Sequence, residues 1–413
     1  MTRRIVILGA GTGGTLAANR LRRLHSRDAV EITVVDQNDD HIYQPGLLFV
    51  PFGLKRPEEL VRSRHAQLHD GIAYLQSPID RVDVAQDTVV LADGAVLRYD
   101  VLIVATGATL LPDETPGLTG AGWNDTIFTF YMLEGATALA GKLAAFDEGR
   151  LVVNVIDMPI KCPVAPLEFC FLADWFFRKN GKRDRIDITY VTPLDGAFTR
   201  PIASQVLGSM LASKGVNVVT ELNTGEVDSE RKQLIGYDGR TVPYDLAVVV
   251  PLHGGAGYVS RSDGLGDELN FIPTDPQTLQ SRVKPNIFAI GDAADIPASK
   301  AGSVTHFEGD ILVENVGRYL TGRSLDGQFD GHANCFIETG FDKAVLIDFN
   351  YDTEPLPGHY PAAIGLPLLK ESHLNHLGKL MFEWIYWHSL LPGHSLPGVG
   401  SAMPDRGKIH EPV

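Results

Sequence analysis

Three features of the 413-residue sequence predict an α/β chain of two Rossmann-like dinucleotide-binding domains, the second inserted in the first, plus a small C-terminal α+β region. First, "RRIVILGAGTGGTLAANRLRRL" at the N-terminus reads as a strand, a glycine turn and a helix. Second, two later apolar strands, "YDVLIVATGA" and "PNIFAIGDAADIP", each end in a glycine turn. Third, "DGAVLRYDVLIVATG" from Asp93 and "DGRTVPYDLAVVVPLHG" from Asp238 share D-G-x-x-x-x-Y-D ahead of an apolar strand, which suggests a duplicated domain. The predicted boundaries are 1–110 with 268–330 for the first domain, 111–267 for the inserted one and 331–413 for the C-terminal region.

Gly9, Gly11 and Gly14 form G-x-G-x-x-G between a strand at Ile5 to Leu8 and the helix that follows. The first glycine permits the tight turn, the second lets the backbone approach a pyrophosphate, and the third lets helix and strand pack closely. The helix N-terminus then offers free N–H groups and a partial positive charge to the phosphates. "VEITVVDQ" supplies the next strand and ends in Asp36, an acid placed to accept hydrogen bonds from ribose hydroxyls. Strand, helix and terminal acid together make this a dinucleotide site.

The inserted domain departs from that pattern. Its first strand, "GRLVVNVI", runs into "DMPIKCPVAPLE", where a second glycine turn would stand. Without glycines the backbone cannot approach a pyrophosphate closely, and prolines remove N–H donors. NADH is not expected to bind there, so the electrons must come from another donor.

Composition narrows the field. A net charge of −15 offers no broad cationic surface, which argues against a nucleic-acid partner. "MTRRIVILGAGTGG" lacks the longer apolar core and the cleavage site of a signal peptide, and no run of 18 apolar residues predicts a spanning helix. Three cysteines cannot staple so long a chain. The expectation is an intracellular protein, cytoplasmic or peripheral on the inner face of a membrane, whose cysteines are catalytic rather than structural. No His/Cys spacing suggests a metal site.

Ala105-Thr106-Gly107 and Gly291-Asp292 resemble the two downstream signatures of the two-dinucleotide-binding-domain flavoproteins. The resemblance implies FAD, with Asp292 on its ribityl chain. "DHIYQPGLLFVPFG" is similar to the loop that lies over the flavin in those proteins, with Pro45 and Gly46 nearest. Cys162-Pro163-x-x-Pro166-x-Glu168 resembles the sulfide:quinone oxidoreductases and the flavoprotein subunit of flavocytochrome c sulfide dehydrogenase. In that family a thiol beside the isoalloxazine replaces the nicotinamide site, and a second redox cysteine lies far downstream. Cys335, in "HANCFIETG", occupies the corresponding place. The exported sulfide dehydrogenase subunit is the less favoured match, because no targeting segment precedes the first strand.

The resemblance implies a chemistry. A disulfide is an electrophile that hydrosulfide can attack, leaving one cysteine as a persulfide and releasing the other as a thiolate. Cys162 would carry the persulfide and Cys335 would face the flavin. The activity implied is oxidation of sulfide to sulfane sulfur or polysulfide, with quinone as the electron acceptor. Two other readings stay open: an NADH:quinone oxidoreductase, and a non-catalytic, redox-sensing flavoprotein in sulfur trafficking.

Several residues have two readings. Cys170, in the apolar helical run "LEFCFLADWFF", is expected in the core, where free cysteine packs as a small hydrophobe. Phe128 stands where the family often has a further cysteine, which argues against a thioether-linked flavin and a three-cysteine shuttle. Glu168 is either a base for hydrosulfide or Cys162, or a partner of the helix dipole. Lys300-Ala301-Gly302 resembles the family's Lys-x-Gly, so Lys300 either supports the negative charge of reduced flavin or is a solvated loop lysine. His306, one turn on, is expected to pack rather than to touch quinone. Finally, Leu374, Leu377, Met381, Trp384, Ile385 and His388 fall close to one face of a C-terminal helix. That face either contacts a membrane surface and opens a quinone channel, as the resemblance implies, or packs on its own domain or on a second subunit of a homo-oligomer. The polar face lacks the lysine and arginine excess that strengthens binding to anionic lipid.

Overall fold

The computed structural model describes residues 2–396 and 399–410. Strand β1 (Arg3–Leu8), helix α1 (Thr12–Leu24) and strand β2 (Val30–Asp36) form a parallel unit, with Ile5 opposite Ile32 and Leu8 opposite Val35. Val6, Ile7 and Leu8 are all buried, the mark of a strand covered on both faces. Strand β3 (Ile72–Gln76) extends the sheet beyond β2, and β4 (Val101–Val104) pairs with the other side of β1. The chain then leaves this sheet. Strands β5 (Ile127–Phe128), β6 (Gly149–Val155), β7 (Ile186–Val191), β8 (Val216–Val219) and β9 (Leu246–Val250) build a second parallel sheet in the order β5-β9-β6-β7-β8. Helices α2 (Leu133–Ala145), α3 (Ala165–Lys179) and α4 (Pro201–Ser213) lie between its strands in sequence. The chain returns as β10 (Ile287–Ala289) on β4, which completes the first sheet as β10-β4-β1-β2-β3. Strand order reverses beside β1, and the crevice outside the carboxyl ends of such strands is where open α/β sheets bind ligands.

The duplication read from the sequence has a physical counterpart. Each sheet's last parallel strand from the shared motif is preceded by a three-stranded antiparallel excursion, at Ile79–Asp83, Thr88–Leu91 and Val96–Arg98 and again at Thr224–Asp228, Gln233–Gly236 and Thr241–Pro243. The aspartate that ends each motif then clamps the first strand of its own sheet. Asp100 accepts from the Arg4 backbone N–H at 2.7 Å and its guanidinium at 3.3 Å, and Asp245 accepts from Arg150 at 2.8 and 2.9 Å.

Helix α5 (Gly302–Leu320) packs on α1, and the C-terminal region is a hairpin of β11 (Ala333–Gly340) and β12 (Lys343–Phe349) followed by α6 (His373–Ile385). Ser372 caps α6 by accepting the Asn375 N–H at 3.0 Å. The helix docks through Asn375, whose side chain donates to Pro367 and Lys370 carbonyls, and through Gly378 against the Phe336 ring. Its other face is bare: Leu374, Leu377 and Leu380 are about half exposed, and Met381 and Trp384 are each 62% exposed. Packing of this face on its own domain, one half of the packing alternative, is therefore corrected. Of the residues placed on that face, Ile385 is partly buried against the core, whereas His388 stacks in the open on Trp384. Among the described residues no helix is long and apolar enough to cross a membrane.

Close approach, not turn geometry, explains Gly14. A Cβ there would meet the Gly9 carbonyl oxygen at 1.8 Å, so α1 could not leave β1 at its present angle. Gly14→Ala is expected to lose about 1–3 kcal/mol of stability, the cost of overpacking a well-packed site, seen as a lower urea midpoint with an unchanged slope.

Candidate active site

The carboxyl ends of β1 and β4, the entrances to α1, α3 and α5, strand β11 and helix α6 enclose one cavity of about 960 Å³. That is the upper end of the range for small-molecule and cofactor sites. Of the residues expected from sequence, Gly9, Gly11, Asp36, Pro45, Thr106, Gly107, Gly291, Asp292 and Lys300 line it, together with Cys162, Cys335 and Glu168. Gly14 lies behind it, at the α1–β1 contact. Gly46, expected over the flavin, does not line it. A Cβ there would meet the Leu60 side chain at 2.3 Å, so this glycine serves the packing of its loop.

At one end, the geometry suits a dinucleotide. Gly9 sits at φ +95° in the tight turn, and a Cβ on it would lie 2.4 Å from the Ala105 carbonyl oxygen. At Gly11 a Cβ would meet only an arginine nitrogen 4.0 Å away, which leaves the backbone open to the cavity. Neither α1 nor α5 has a side-chain N-cap or an acid in its first turn, so both helices present uncapped N–H groups. Asp36 accepts the Ala10 N–H at 2.7 Å and pairs with Arg64 at 3.0 Å. Arg64 Nε is buried without a hydrogen-bond partner among the described residues, an orphan donor beside the phosphate-binding turn. The Tyr386 hydroxyl, just beyond α6, contacts Thr12 Oγ1 at 2.8 Å and His41 Nε2 at 2.7 Å and so ties the C-terminal helix to the same turn. Uncapped helix ends, an open glycine and an orphan arginine fit FAD.

The Gly291–Asp292 turn is fixed from below. Glu308 of α5 accepts the Gly291 N–H at 2.7 Å, and its carboxyl is pushed up to about 7 by burial. Lys300 Nζ donates to the Asp292 and Ala294 carbonyls, both at 2.9 Å, and sits 4.1 Å from the centroid of the Phe271 ring. It is a structural tie rather than a solvated loop lysine. Burial raises the Asp292 carboxyl, opposed by Lys300 and Lys161. His306 packs, as expected, with Nδ1 3.1 Å from Arg20.

At the other end stand the thiols. Cys162 has φ +80°, a backbone conformation that costs a non-glycine residue about 1–3 kcal/mol and gathers at functional sites. Three hydrogen bonds hold it there. Its N–H donates to the Lys300 carbonyl at 2.7 Å, and its carbonyl accepts from Ala165 N at 2.8 Å and the Tyr131 hydroxyl at 3.1 Å. The loop that replaces the second glycine turn is thus bridged to the segment before α5, and Pro166 in the first turn of α3 forgoes an N–H that no helix would satisfy. Cys335 comes from β11, opposite Ile347. Burial raises both thiols, Cys335 to about 12, and a charge on Cys335 raises Cys162 further; both residues line the cavity. Cys170 is fully buried in the core. Phe128 is also buried and away from the cavity, whose wall is made by Phe130 and Tyr131 instead.

Glu168 does not simply face Cys162. It accepts the Glu338 N–H at 2.7 Å and pairs with Lys379 of α6, whose ammonium also donates to the Phe336 carbonyl at 3.0 Å. Burial raises the Glu168 carboxyl and Lys379 opposes the shift. Lys379 also favours the charged form of both thiols. Sequence reading did not single out Arg64, Lys161, Glu338, His376, Lys379 or Tyr386, all of which line the cavity. For His376 and Lys379 the available signal was two polar side chains three apart, on the side of the helix away from its apolar stripe. Among the described residues no cluster of His, Cys, Asp and Glu could hold a metal ion.

This fold and site define a flavoprotein with two Rossmann-like domains, in which the loop bearing Cys162 stands where the second glycine turn would be. Residues 3–153 match the pyridine nucleotide-disulphide oxidoreductase family. The chain is a homologue of the sulfide:quinone oxidoreductases. It is 26% identical to the mitochondrial sulfide:quinone oxidoreductase of Mus musculus, over 94% of this chain and 86% of that one. It is 22% identical to the sulfide-quinone reductase of Aquifex aeolicus, over 72% and 70% of the two. The solved structure of the Aquifex aeolicus sulfide:quinone oxidoreductase superposes with a TM-score of 0.81 at 19% identity, covering 96% of this chain and 93% of that one.

Removing one member of a buried ion pair is far more costly than removing both. Lys379→Met is expected to cost about 3–5 kcal/mol at pH 8. The raised Glu168 carboxyl binds its proton more tightly folded than unfolded, so its contribution becomes less favourable as pH rises. The deficit should therefore shrink toward pH 5 and be largely relieved by adding Glu168→Gln, as followed by urea unfolding at both pH values.

Proposed function

We propose that this protein oxidises sulfide to sulfane sulfur through Cys162 and Cys335 and passes the electrons by way of FAD to a quinone. The observation that supports this most is the single cavity joining a dinucleotide site to two thiols from distant parts of the chain. The oxidised pair is the resting electrophile. Hydrosulfide attacks the Cys162 sulfur, the S–S bond breaks, Cys162 becomes a persulfide and Cys335 leaves as a thiolate. Burial disfavours that thiolate, and Lys379 is the cation that offsets the cost. FAD, when bound, would supply a two-electron relay between the thiol pair and the quinone. Gly9, Gly11, Asp36, Arg64, Gly291 and Asp292 would hold it, and Lys161, whose ammonium donates to Gln44 at 2.9 Å, lies on the wall beside Cys162.

The same cavity runs past Glu168 and Lys379 to Leu380, Phe382 and Glu383 of α6. An apolar quinone ring entering there would leave the bare face of α6 and meet a buried carboxyl and ammonium. We read that face as a membrane contact, because leucine, methionine and tryptophan side chains stand in a row with nothing over them. The lack of a cationic polar face predicts little dependence on anionic lipid.

Turnover of sulfide with a short-chain soluble quinone tests the reading. Cys162→Ser and Cys335→Ser are each expected to lower kcat on the order of 10³-fold or more, as loss of a covalent group does. Turnover with NADH in place of sulfide would instead support an NADH:quinone oxidoreductase. Vesicle flotation tests the surface: the full chain should float with neutral phosphatidylcholine vesicles, and Met381→Ser with Trp384→Ser should release it.

A further inference from the structure

Quinone reduction needs protons as well as electrons. Taking one HS⁻ to sulfane sulfur yields two electrons and one proton, whereas quinone to quinol takes two electrons and two protons. One proton per turnover must therefore enter from solvent, and the quinone end of the cavity is lined by the buried Glu168 and its partner Lys379.

Among the described residues a file of groups leads from that pair toward water, its first link the Glu338 backbone N–H and the rest side chains. Glu338 of β11 is 3% exposed, and its own N–H donates to Glu168 at 2.7 Å. Its carboxylate faces His376 of α6, with Nδ1 at 2.9 and 3.1 Å from the two oxygens. The other imidazole nitrogen, Nε2, lies 4.0 Å from Asp342, whose side chain is 88% exposed at the β11–β12 turn. His376 itself is 18% exposed. So one imidazole presents one nitrogen to a buried carboxylate and the other to a solvated one, and all these groups line the cavity. Histidine is the side chain suited to pass a proton near neutral pH. The charged groups facing it are Glu338, Asp342 and, one turn along α6, Lys379. His373 on the same helix donates from Nδ1 to the Asp342 carbonyl at 2.7 Å rather than to the carboxylate.

We propose that His376 is the proton entry to the quinone end of the site: it takes a proton at Nε2 beside Asp342 and passes one from Nδ1 to the Glu338 carboxyl, which lines the same cavity as the Glu168–Lys379 pair. This rests on the quinone reading above. His376 acts through other groups and is a shuttle, not a catalytic residue.

The test uses the full-length FAD-loaded protein, photoreduced without air and mixed in stopped flow with one of two oxidants. A short-chain quinone needs protons, whereas ferricyanide takes electrons alone. His376→Ala is expected to slow reoxidation by quinone on the order of 10²-fold, the low end for a lost proton-transfer group. The loss should grow as pH rises from 6 to 9, recover with added imidazole, and be absent with ferricyanide. A pH-indicator dye should show proton uptake delayed in step with reoxidation. Glu338→Gln should reproduce the quinone defect without imidazole rescue. Unchanged quinone reoxidation in His376→Ala overturns the relay, as does an equal slowing with ferricyanide or a defect that imidazole does not touch. Wild-type protein that quinone cannot reoxidise overturns the functional reading, and the relay falls with it.

Discussion

The hydrogen bond from the Cys162 amide to the Lys300 carbonyl is the constraint on which the site depends. It joins the first turn of the inserted domain to the segment that opens α5 in the first domain. In a nucleotide-binding domain the equivalent turn keeps its N–H groups free for phosphate. Here that N–H is spent on the neighbouring domain, and Cys162 is held at a strained φ that its three backbone bonds over-determine. The same Lys300 holds the Asp292 carbonyl with its ammonium. One short segment therefore fixes the thiol and the Gly-Asp turn relative to each other. Redox partners must keep a set distance, and a loop fixed at one end alone would not provide it.

Low polarity around the cysteines sets the chemistry. Burial pushes both thiols up, so neither favours the thiolate form and each charge formed there needs a partner. Lys379 supplies it from α6, while also neutralising Glu168. The helix that bears the exposed apolar face thus bears the cation of the site as well. Tyr386, just past its end, reaches the phosphate-binding turn. An exposed apolar face, a cation that favours both thiolates and a contact to the glycine turn are carried by α6 and the turn that ends it, and displacing α6 would disturb all three.

Much of this was legible in the sequence, for a physical reason. Gly9, Gly11 and Asp36 act through local backbone geometry, and a strand–turn–helix pattern fixes that geometry within a few dozen residues. Cys162 announced itself because prolines and a thiol stood where glycines belong. Cys335 was found by resemblance, since nothing local marks it in an ordinary hairpin strand. Gly46 was placed by the same resemblance and proved to serve packing against Leu60, because a glycine looks the same in sequence whether it makes room for a ligand or for a side chain. Arg64, Glu338, His376 and Lys379 were not legible. Each acquires its meaning only from a partner brought near by tertiary folding, as Lys379 does from Glu168. The exposure of α6 was also undecided in sequence, because an apolar helical stripe reads the same whether protein or lipid covers it.

The central claim is that sulfide delivers its electrons through the Cys162–Cys335 pair. The most direct measurement is an anaerobic single-turnover reaction of oxidised, FAD-loaded protein with sulfide, following the flavin's visible absorbance and trapping the protein for intact mass. The account predicts rapid bleaching together with one sulfur atom added at Cys162, and neither event in Cys162→Ser or Cys335→Ser. Bleaching that survives loss of either cysteine, or that NADH produces and sulfide does not, would contradict it.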